Sequence, residues 1–174
     1  MIIYDRQTSE KLLEIPADTL AGIDMRRFDL RYADLGNQDL SLCNFGGMDL
    51  EGVQFNNSVL FRAILTNCNL TEAIFTRANL SGAKLTGAKL SMTAFSYATL
   101  IEADLSEITV EGMVNFRWIV ACGAKFRNIR NMSGANFFQA NLANADFEGT
   151  DFLLVSESDR TDTILTGTIF EYLM

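Results

Sequence analysis

Residues 60–105 read LFRAILTNCNLTEAIFTRANLSGAKLTGAKLSMTAFSYATLIEADL, and a leucine or phenylalanine stands at every fifth position of this stretch. The series extends from Leu20 to Val110, where Leu, Phe, Met or Val fills nineteen such positions in succession. Five residues advance an α-helix by about 500°, which scatters the series around the axis, and five residues of strand place successive members on opposite faces. A regular helix or strand therefore cannot bury the series. The spacing instead predicts a chain that turns a corner every five residues and stacks into a solenoid.

A small residue, most often alanine, stands two positions before many of these apolar residues. The resulting segments resemble the pentapeptide-repeat family, whose consensus is A(D/N)LXX. They include Ala78-Asn79-Leu80, Ala83-Lys84-Leu85, Ala103-Asp104-Leu105, Ala135-Asn136-Phe137, Ala140-Asn141-Leu142 and Ala145-Asp146-Phe147. The resemblance covers residues 18–170 and implies an all-β fold, a right-handed quadrilateral β-helix with four pentapeptides in each coil.

The apolar positions themselves favour four sides over three. Phe55, Phe75 and Phe95 recur at intervals of twenty residues, so a four-sided coil stacks them at the spacing of paired strands, about 4.8 Å. A three-sided coil of fifteen residues would place these rings on different edges and lose their contact. The sequence therefore predicts one file of phenylalanine rings along one edge.

After Val110 the five-residue rhythm is recovered if each of the next two coils contains one additional residue. The file of rings then continues to Phe116 and Phe137. The sequence therefore predicts single-residue bulges near 111–113 and 130–131. The same register predicts one column of outward charges that alternate in sign, formed by Lys84, Asp104, Lys125 and Asp146.

The chain is expected to form one domain with three parts. Residues 1–17 form an N-terminal cap, either a hairpin or a strand and a short helix, which covers the open end of the first coil. Residues 18–170 form a β-helix of about seven coils, with an irregular loop at 153–162 where the pattern is lost. Residues 171–174 form a C-terminal tail.

Composition argues against catalysis and against a bound cofactor or metal. The chain has 174 residues, no His, and three Cys without a Cys-x-x-Cys spacing, so His-containing triads and zinc sites are not expected. A net charge of −8 disfavours direct binding of nucleic acid, and no apolar run approaches the length of a membrane span. A secretory signal is not evident, so a cytoplasmic location is expected.

Three surface features are candidates for contacts with another protein. The first is an apolar girdle of outward residues, Val59, Phe61, Ile64 and Ile74. The second is a basic waist around the bulges, Arg117, Trp118, Lys125, Arg127 and Arg130. The third is the apolar C-terminal end, Phe170, Tyr172, Leu173 and Met174. Two rods that meet end to end would cover this third surface and form a homodimer.

These features favour a rigid, non-catalytic protein-binding or scaffold module. Its partner is a protein whose identity the sequence does not specify. The family resemblance implies an alternative, because some bacterial pentapeptide-repeat proteins resemble B-DNA, bind DNA gyrase or another type II topoisomerase, and protect against quinolones. The acidic ends of this chain fit that alternative, whereas its basic waist interrupts the negative surface.

Overall fold

The backbone winds as a β-helix whose successive coils are joined by parallel bridges. In a computed structural model, which describes residues 1–151 and 162–168, these bridges join residues twenty apart, as in Asp39 with Val59 and Val59 with Asn79. The circuit from Leu40 to Ser58 contains four hydrogen-bonded turns, which begin at Leu40, Phe45, Leu50 and Phe55, so the coil has four sides. The handedness and the total number of coils stay predictions.

Named strands are short because most of the pairing occurs at single bridged residues. They are β1 (Ile2–Asp5), β2 (Lys11–Glu14), β3 (Ala33–Asp34), β4 (Lys89–Ser91), β5 (Thr109–Glu111), β6 (Val114–Asn115) and β7 (Ala135–Asn136). Strand β4 pairs in parallel with β5, and β6 pairs in parallel with β7. No helix occurs in residues 1–151 or 162–168.

Each corner is a β-turn that begins at one of the regularly spaced apolar residues, here called the central residue. The amide of Ala63 donates to the carbonyl of Leu60 at 3.0 Å, and the amide of Ala78 donates to that of Phe75 at 2.9 Å. The third residue of these turns is left-handed, with φ of 54° at Arg62 and 60° at Arg77. A positive φ at this place defines a type II turn. Repetition of this turn produces the five-residue period.

Where Asp or Asn precedes a central residue, its side chain satisfies a backbone group of the turn. The Oδ1 atoms of Asp39, Asn79 and Asp104 each accept the amide hydrogen of the residue two positions later at 3.0 Å. A short side chain with an acceptor oxygen is suited to this contact. The consensus carboxylates and amides are therefore structural, although they point outward.

The interior is filled by the central residues, and one edge carries the predicted file of phenylalanines. The rings of Phe55, Phe75, Phe95, Phe116 and Phe137 stack in order, with centroid separations of 4.8, 4.8, 5.0 and 4.8 Å. All five side chains are fully buried. The prediction of a single aromatic file is confirmed, and its spacing equals that of paired strands.

A second inward position, two residues before the central one, accepts polar side chains only with a hydrogen bond. The Sγ atoms of Cys43 and Cys68 lie 2.9 and 3.0 Å from the carbonyl oxygens of Leu20 and Phe45. Thr93 Oγ1 likewise donates to the carbonyl of Leu70 at 2.9 Å. Each acceptor lies twenty-three residues earlier, so the geometry repeats from coil to coil. Burial of these polar groups is thereby compensated.

The register lengthens by one residue after β5. Ser91 pairs with Glu111, twenty residues later, whereas Ala94 pairs with Asn115, twenty-one residues later. The extra residue therefore lies between Glu111 and Asn115. Here the backbone of the next coil comes very close: a Cβ atom on Gly134 would lie 1.7 Å from the carbonyl oxygen of Gly112. Only glycine fits at this contact.

A second extra residue occurs in the following coil. Ile129 and Met132 are both buried, and the two residues between them, Arg130 and Asn131, are exposed. Elsewhere one residue separates the two inward positions, so this corner contains one more. The Ile129 amide donates to Thr150 Oγ1 at 2.7 Å, which anchors the widened corner to the next coil.

The sequence left two arrangements open for the N-terminal cap, a hairpin or a strand and a short helix. The structure has the hairpin. Strands β1 and β2 pair antiparallel, and β1 also pairs antiparallel with β3 at the edge of the first coil. Ile3 and Ile15 are buried at 2% and 4% exposure, so the hairpin covers apolar surface at the open end. Most of the predicted irregular loop and all of the predicted tail lie outside the described residues.

We predict that the phenylalanine file contributes strongly to stability. Replacement of Phe75, which stacks on rings above and below, by Ala should lower the free energy of unfolding by about 3–5 kcal/mol, because it leaves a cavity. Phe75→Leu should cost less than about 1.5 kcal/mol, since leucine serves as the central residue elsewhere. Denaturant unfolding followed by circular dichroism measures both. Equal stability of the Ala variant and the wild type would contradict the packing described.

Candidate interaction surface

Four outward faces run along the rod, and we name them by their bridged residues. Face A contains Asp39, Val59, Asn79, Thr99, Val120 and Asn141. Face B contains Asn44, Ile64, Lys84, Asp104, Lys125 and Asp146. Face C contains Asp49, Asn69, Lys89 and Thr109. Face D contains Gln54, Ile74, Ala94, Asn115 and Asn136. The bridges of face B confirm the predicted column of alternating charges.

Face D brings together aromatic side chains from consecutive coils. The rings of Tyr97 and Trp118 stack with a centroid separation of 4.8 Å and an angle of 3° between their planes. Phe138, from the next coil, meets Trp118 edge to face at 5.9 Å and 90°. Trp118 Nε1 donates to Gln139 Oε1 at 2.6 Å, which fixes the orientation of the indole. The register therefore builds a ladder of rings on the surface of this face.

Two guanidinium groups pack against these rings. The Cζ atom of Arg117 lies 4.4 Å from the centroid of the Trp118 ring and 4.9 Å from that of Phe138. Arg77 lies over Tyr97 at 5.7 Å. Both contacts are of the cation–π type. We call these five residues, Arg77, Tyr97, Arg117, Trp118 and Phe138, the aromatic–arginine strip.

The arginines of the strip have no anionic partner in the described part of the chain. Neither Arg77 nor Arg117 forms a salt bridge there, and the buried Nε atom of Arg117 has no hydrogen-bond acceptor. The outward positions of face D between Gln54 and Gln139 contain no Asp or Glu. The strip is therefore a positive, aromatic surface on a protein whose net charge is −8.

The predicted basic waist is not one surface. Arg117 and Trp118 lie on face D, whereas Lys125 and Arg127 lie on face B. The Arg127 guanidinium is paired with the Asp146 carboxylate, and its Nε lies 3.8 Å from a Glu148 oxygen. This pairing lowers the pKa of the Asp146 carboxyl below its usual range. Arg130 is exposed at the second bulge.

The predicted apolar girdle runs around the rod, and its members lie on three faces. Val59 and Phe61 share face A and are exposed. Ile64 lies on face B and Ile74 on face D, and both are half-buried. Phe170, Tyr172, Leu173 and Met174, predicted to form an end-to-end contact, lie outside the described residues.

Sequence reasoning missed three members of the strip, Arg77, Tyr97 and Phe138. The signal was present, because Tyr97 and Trp118 are twenty-one residues apart, as are Arg117 and Phe138. These are the intervals of the lengthened coils. Extension of the inward register to the outward positions would have placed all of these residues on one face.

The described residues contain no group of three or more Cys, Asp or Glu that is placed to hold a metal ion. In the same part of the chain, no helix is long and apolar enough to cross a membrane. Burial raises the pKa of the Cys43 and Cys68 thiols to about 11. Their thiolates are therefore scarce near neutral pH.

The family model for pentapeptide repeats matches residues 39–77, 54–91, 73–112 and 131–171, which together cover more than half of the chain. The chain belongs to the pentapeptide repeat family. Among curated protein sequences, none shows significant similarity to it.

Several solved structures of pentapeptide repeat proteins are similar to this chain. One is QnrB1, described as a plasmid-mediated fluoroquinolone resistance protein, with 19% sequence identity and a TM-score of 0.36 over 78% of each chain. Another is HetL, described as involved in heterocyst differentiation regulation in the cyanobacterium Nostoc. HetL is 24% identical, with a TM-score of 0.27, and the match covers 83% of this chain and 84% of HetL.

We predict that one thiol of this pentapeptide repeat protein reacts readily in the folded state. Cys122 is partly exposed on face A, whereas Cys43 and Cys68 are buried and have raised pKa values. A thiol reagent at about pH 8 should therefore modify one cysteine per native chain and three after unfolding. Mass spectrometry should locate the native label at Cys122. Fast labelling that persists in Cys122→Ser would show that the buried thiols are accessible.

We predict that Asp24 titrates far below an ordinary aspartate. The side-chain hydrogen bond from Arg26, followed by the Arg26 backbone amide, lowers the pKa of Asp24 from 3.8 to about 2. Because the pKa is depressed in the folded state, the associated stability is complete above about pH 4 and is lost as the pH falls through about 2. An NMR titration of the Asp24 carboxyl measures the pKa. In Arg26→Gln it should rise toward 3.8, and an unchanged value would contradict this origin.

Proposed function

We propose that this chain is a rigid, non-catalytic protein-binding module whose partner docks on the aromatic–arginine strip of face D. The observation that supports this most strongly is the Arg117 guanidinium, which packs between two aromatic rings and lacks an acceptor for its buried Nε among the described residues. Arg and Trp are the residues most enriched where binding energy concentrates in protein interfaces. The strip combines both in one place.

The packing beneath and within the strip holds its side chains in place before a partner binds. Phe95, Phe116 and Phe137, which lie beneath the strip, are stacked and fully buried. The Trp118 indole is held by stacking on Tyr97 and by its hydrogen bond to Gln139. A partner that binds here orders few side chains, so little of the interaction energy is lost to entropy.

The chemistry of the strip favours a partner segment that carries a carboxylate beside an apolar or aromatic group. A guanidinium forms paired hydrogen bonds to a carboxylate, and the adjacent rings exclude water and strengthen this contact. A nucleic acid could make comparable contacts, with a phosphodiester on the guanidinium and a base stacked on the rings. The overall charge of −8 disfavours a polyanionic nucleic acid, so an acidic site on a protein fits better.

The test uses the fact that Trp118 is the single tryptophan of the chain. Proteins captured from the source organism by the wild type should be titrated into wild type, Trp118→Ala and Arg117→Gln. We expect binding to change Trp118 fluorescence in the wild type. Calorimetric titration, which also measures the variant without tryptophan, should show that each substitution weakens binding by about 30-fold, the effect of losing an interface hot spot. Circular dichroism should show that both variants remain folded.

Met92→Ser provides the matched control, because Met92 is an exposed apolar residue at a turn of face C. It should bind like the wild type. Binding that survives both strip substitutions would refute the proposed docking site. A single-stranded oligonucleotide that bound in a Trp118-dependent manner would show that the partner is a nucleic acid.

The alternative, a DNA-mimicking ligand of DNA gyrase or another type II topoisomerase, requires a continuous negative surface. The bridged column of face B instead alternates Lys84, Asp104, Lys125 and Asp146, and the arginines of face D form no salt bridge among the described residues. We therefore expect excess protein to leave gyrase supercoiling unchanged. Inhibition that survives the strip substitutions would favour DNA mimicry over the proposed function.

A further inference from the structure

Exposed apolar side chains concentrate on face A. Leu42 is 59% exposed, Val59 and Phe61 are 38% and 40%, and Ile101 and Val120 are 39% and 38%. All five occupy outward positions of consecutive or nearly consecutive coils on this face. The other faces expose few such residues among those described, so face A is the apolar side of the rod. Apolar patches of this kind mark contacts with other molecules.

On face A, the coil before Ser81 and the coil after it carry similar residues at matching positions. At the middle are Asn79, Ser81 and Gly82, which are small or polar. One coil before them lie Val59, Phe61 and Arg62, and one coil after them lie Thr99, Ile101 and Glu102. Two coils away, Leu42 lies in the turn column and Val120 in the bridged column, so these two residues do not face each other in a reversed copy. Reversal of the rod places Phe61 opposite Ile101 and Val59 opposite Thr99.

The charges on either side of the middle coil are opposite in sign. Arg62 and Glu102 occupy the same turn column and are exposed, and neither forms a salt bridge in the described part of the chain. Their side chains extend over Gly82 and Gly123 of the following coils. Asp39, the other acidic residue of this face, accepts the Ser41 amide at 3.0 Å. The Arg62 guanidinium lies 5.0 Å from the centroid of the Phe61 ring, and neither Arg62 nor Glu102 has an ionic partner among the described residues.

We propose that face A is a homodimer interface in which two copies pack antiparallel about a two-fold axis at the coil of Ser81. The axis lies in the plane of the interface and perpendicular to the rods, so each outward column faces the same column of the other copy in reverse order. Two equivalent pairs then form, each between Arg62 of one copy and Glu102 of the other, after a rotamer change in both side chains. Phe61 of each copy faces Ile101 of the other. Such a self-complementary surface is characteristic of a two-fold interface.

This dimer has a geometric consequence for the aromatic–arginine strip. Face D is adjacent to face A in the four-sided coil and is not covered by the proposed contact. Each dimer would therefore present two strips, and a partner with two acidic sites would gain affinity through simultaneous binding. The dimer itself does not depend on that function. It is also distinct from an end-to-end contact at the C-terminus.

Sedimentation of charge variants tests the interface. Arg62→Glu and Glu102→Arg should each weaken dimerisation by about tenfold or more, because each places like charges opposite one another. The double variant Arg62→Glu/Glu102→Arg should restore wild-type dimerisation, since it exchanges the two partners. Arg77→Glu, the same charge change on face D, is the matched control and should leave dimerisation unchanged. A dimer that is insensitive to both single changes, or a wild type that stays monomeric at about 100 μM, would overturn the proposal.

Cross-linking tests the position of the axis. In a Cys122→Ser background, Ser81→Cys places one reactive thiol at the two-fold axis, where a short bismaleimide of about 8–10 Å should join two chains across packed sheets. Ser96→Cys, the corresponding position on face D, is the control and should give no covalent dimer. Cross-linking through Ser96→Cys but not through Ser81→Cys would show that copies associate through a different face.

Discussion

The structure depends on the register of backbone hydrogen bonds between coils. The amide of each central residue donates to a carbonyl of the next coil, as in Leu40 to Val59 at 2.8 Å, Leu60 to Asn79 at 2.7 Å and Leu80 to Thr99 at 2.7 Å. A constant interval places every side chain above the one a coil earlier. The phenylalanine file, the turn acceptors and the surface ladders all follow from this interval. Where a coil gains a residue, the bridged residues on either side of the insertion are twenty-one apart instead of twenty, so the columns survive.

The positions of the buried side chains could be predicted from sequence because periodicity and apolar character coincide at them. Central positions are both periodic and uniformly apolar, so even the interval of twenty-one residues between Phe95 and Phe116 could be found. The cap could not be decided, because residues 1–17 carry no repeat and a short apolar strand resembles a short apolar helix in sequence. The pairing of β1 with β3, which selects the hairpin, is a contact between distant parts of the chain.

The grouping of exposed residues into surfaces was predicted poorly for a geometric reason. Neighbouring pentapeptides point to different faces, so residues ten apart lie on opposite sides of the rod, as Arg117 and Arg127 do. Residues twenty or twenty-one apart share a face. A cluster in the sequence is therefore a ring around the rod, whereas a binding surface is a column along it. Tyr97, Trp118 and Phe138 form such a column, although they are dispersed in the sequence.

The same distinction bears on the acidity of the chain. Asp24, Asp29, Asp34, Asp39 and Asp49 each accept the amide hydrogen of a turn. Much of the negative charge therefore arises because the corner needs a short acceptor, and net charge alone is weak evidence for mimicry of DNA. The more informative groups are those that the fold does not need. The Arg117 guanidinium, the Arg62 guanidinium and the Glu102 carboxylate form no salt bridge in the described part of the chain, and both proposals rest on these groups.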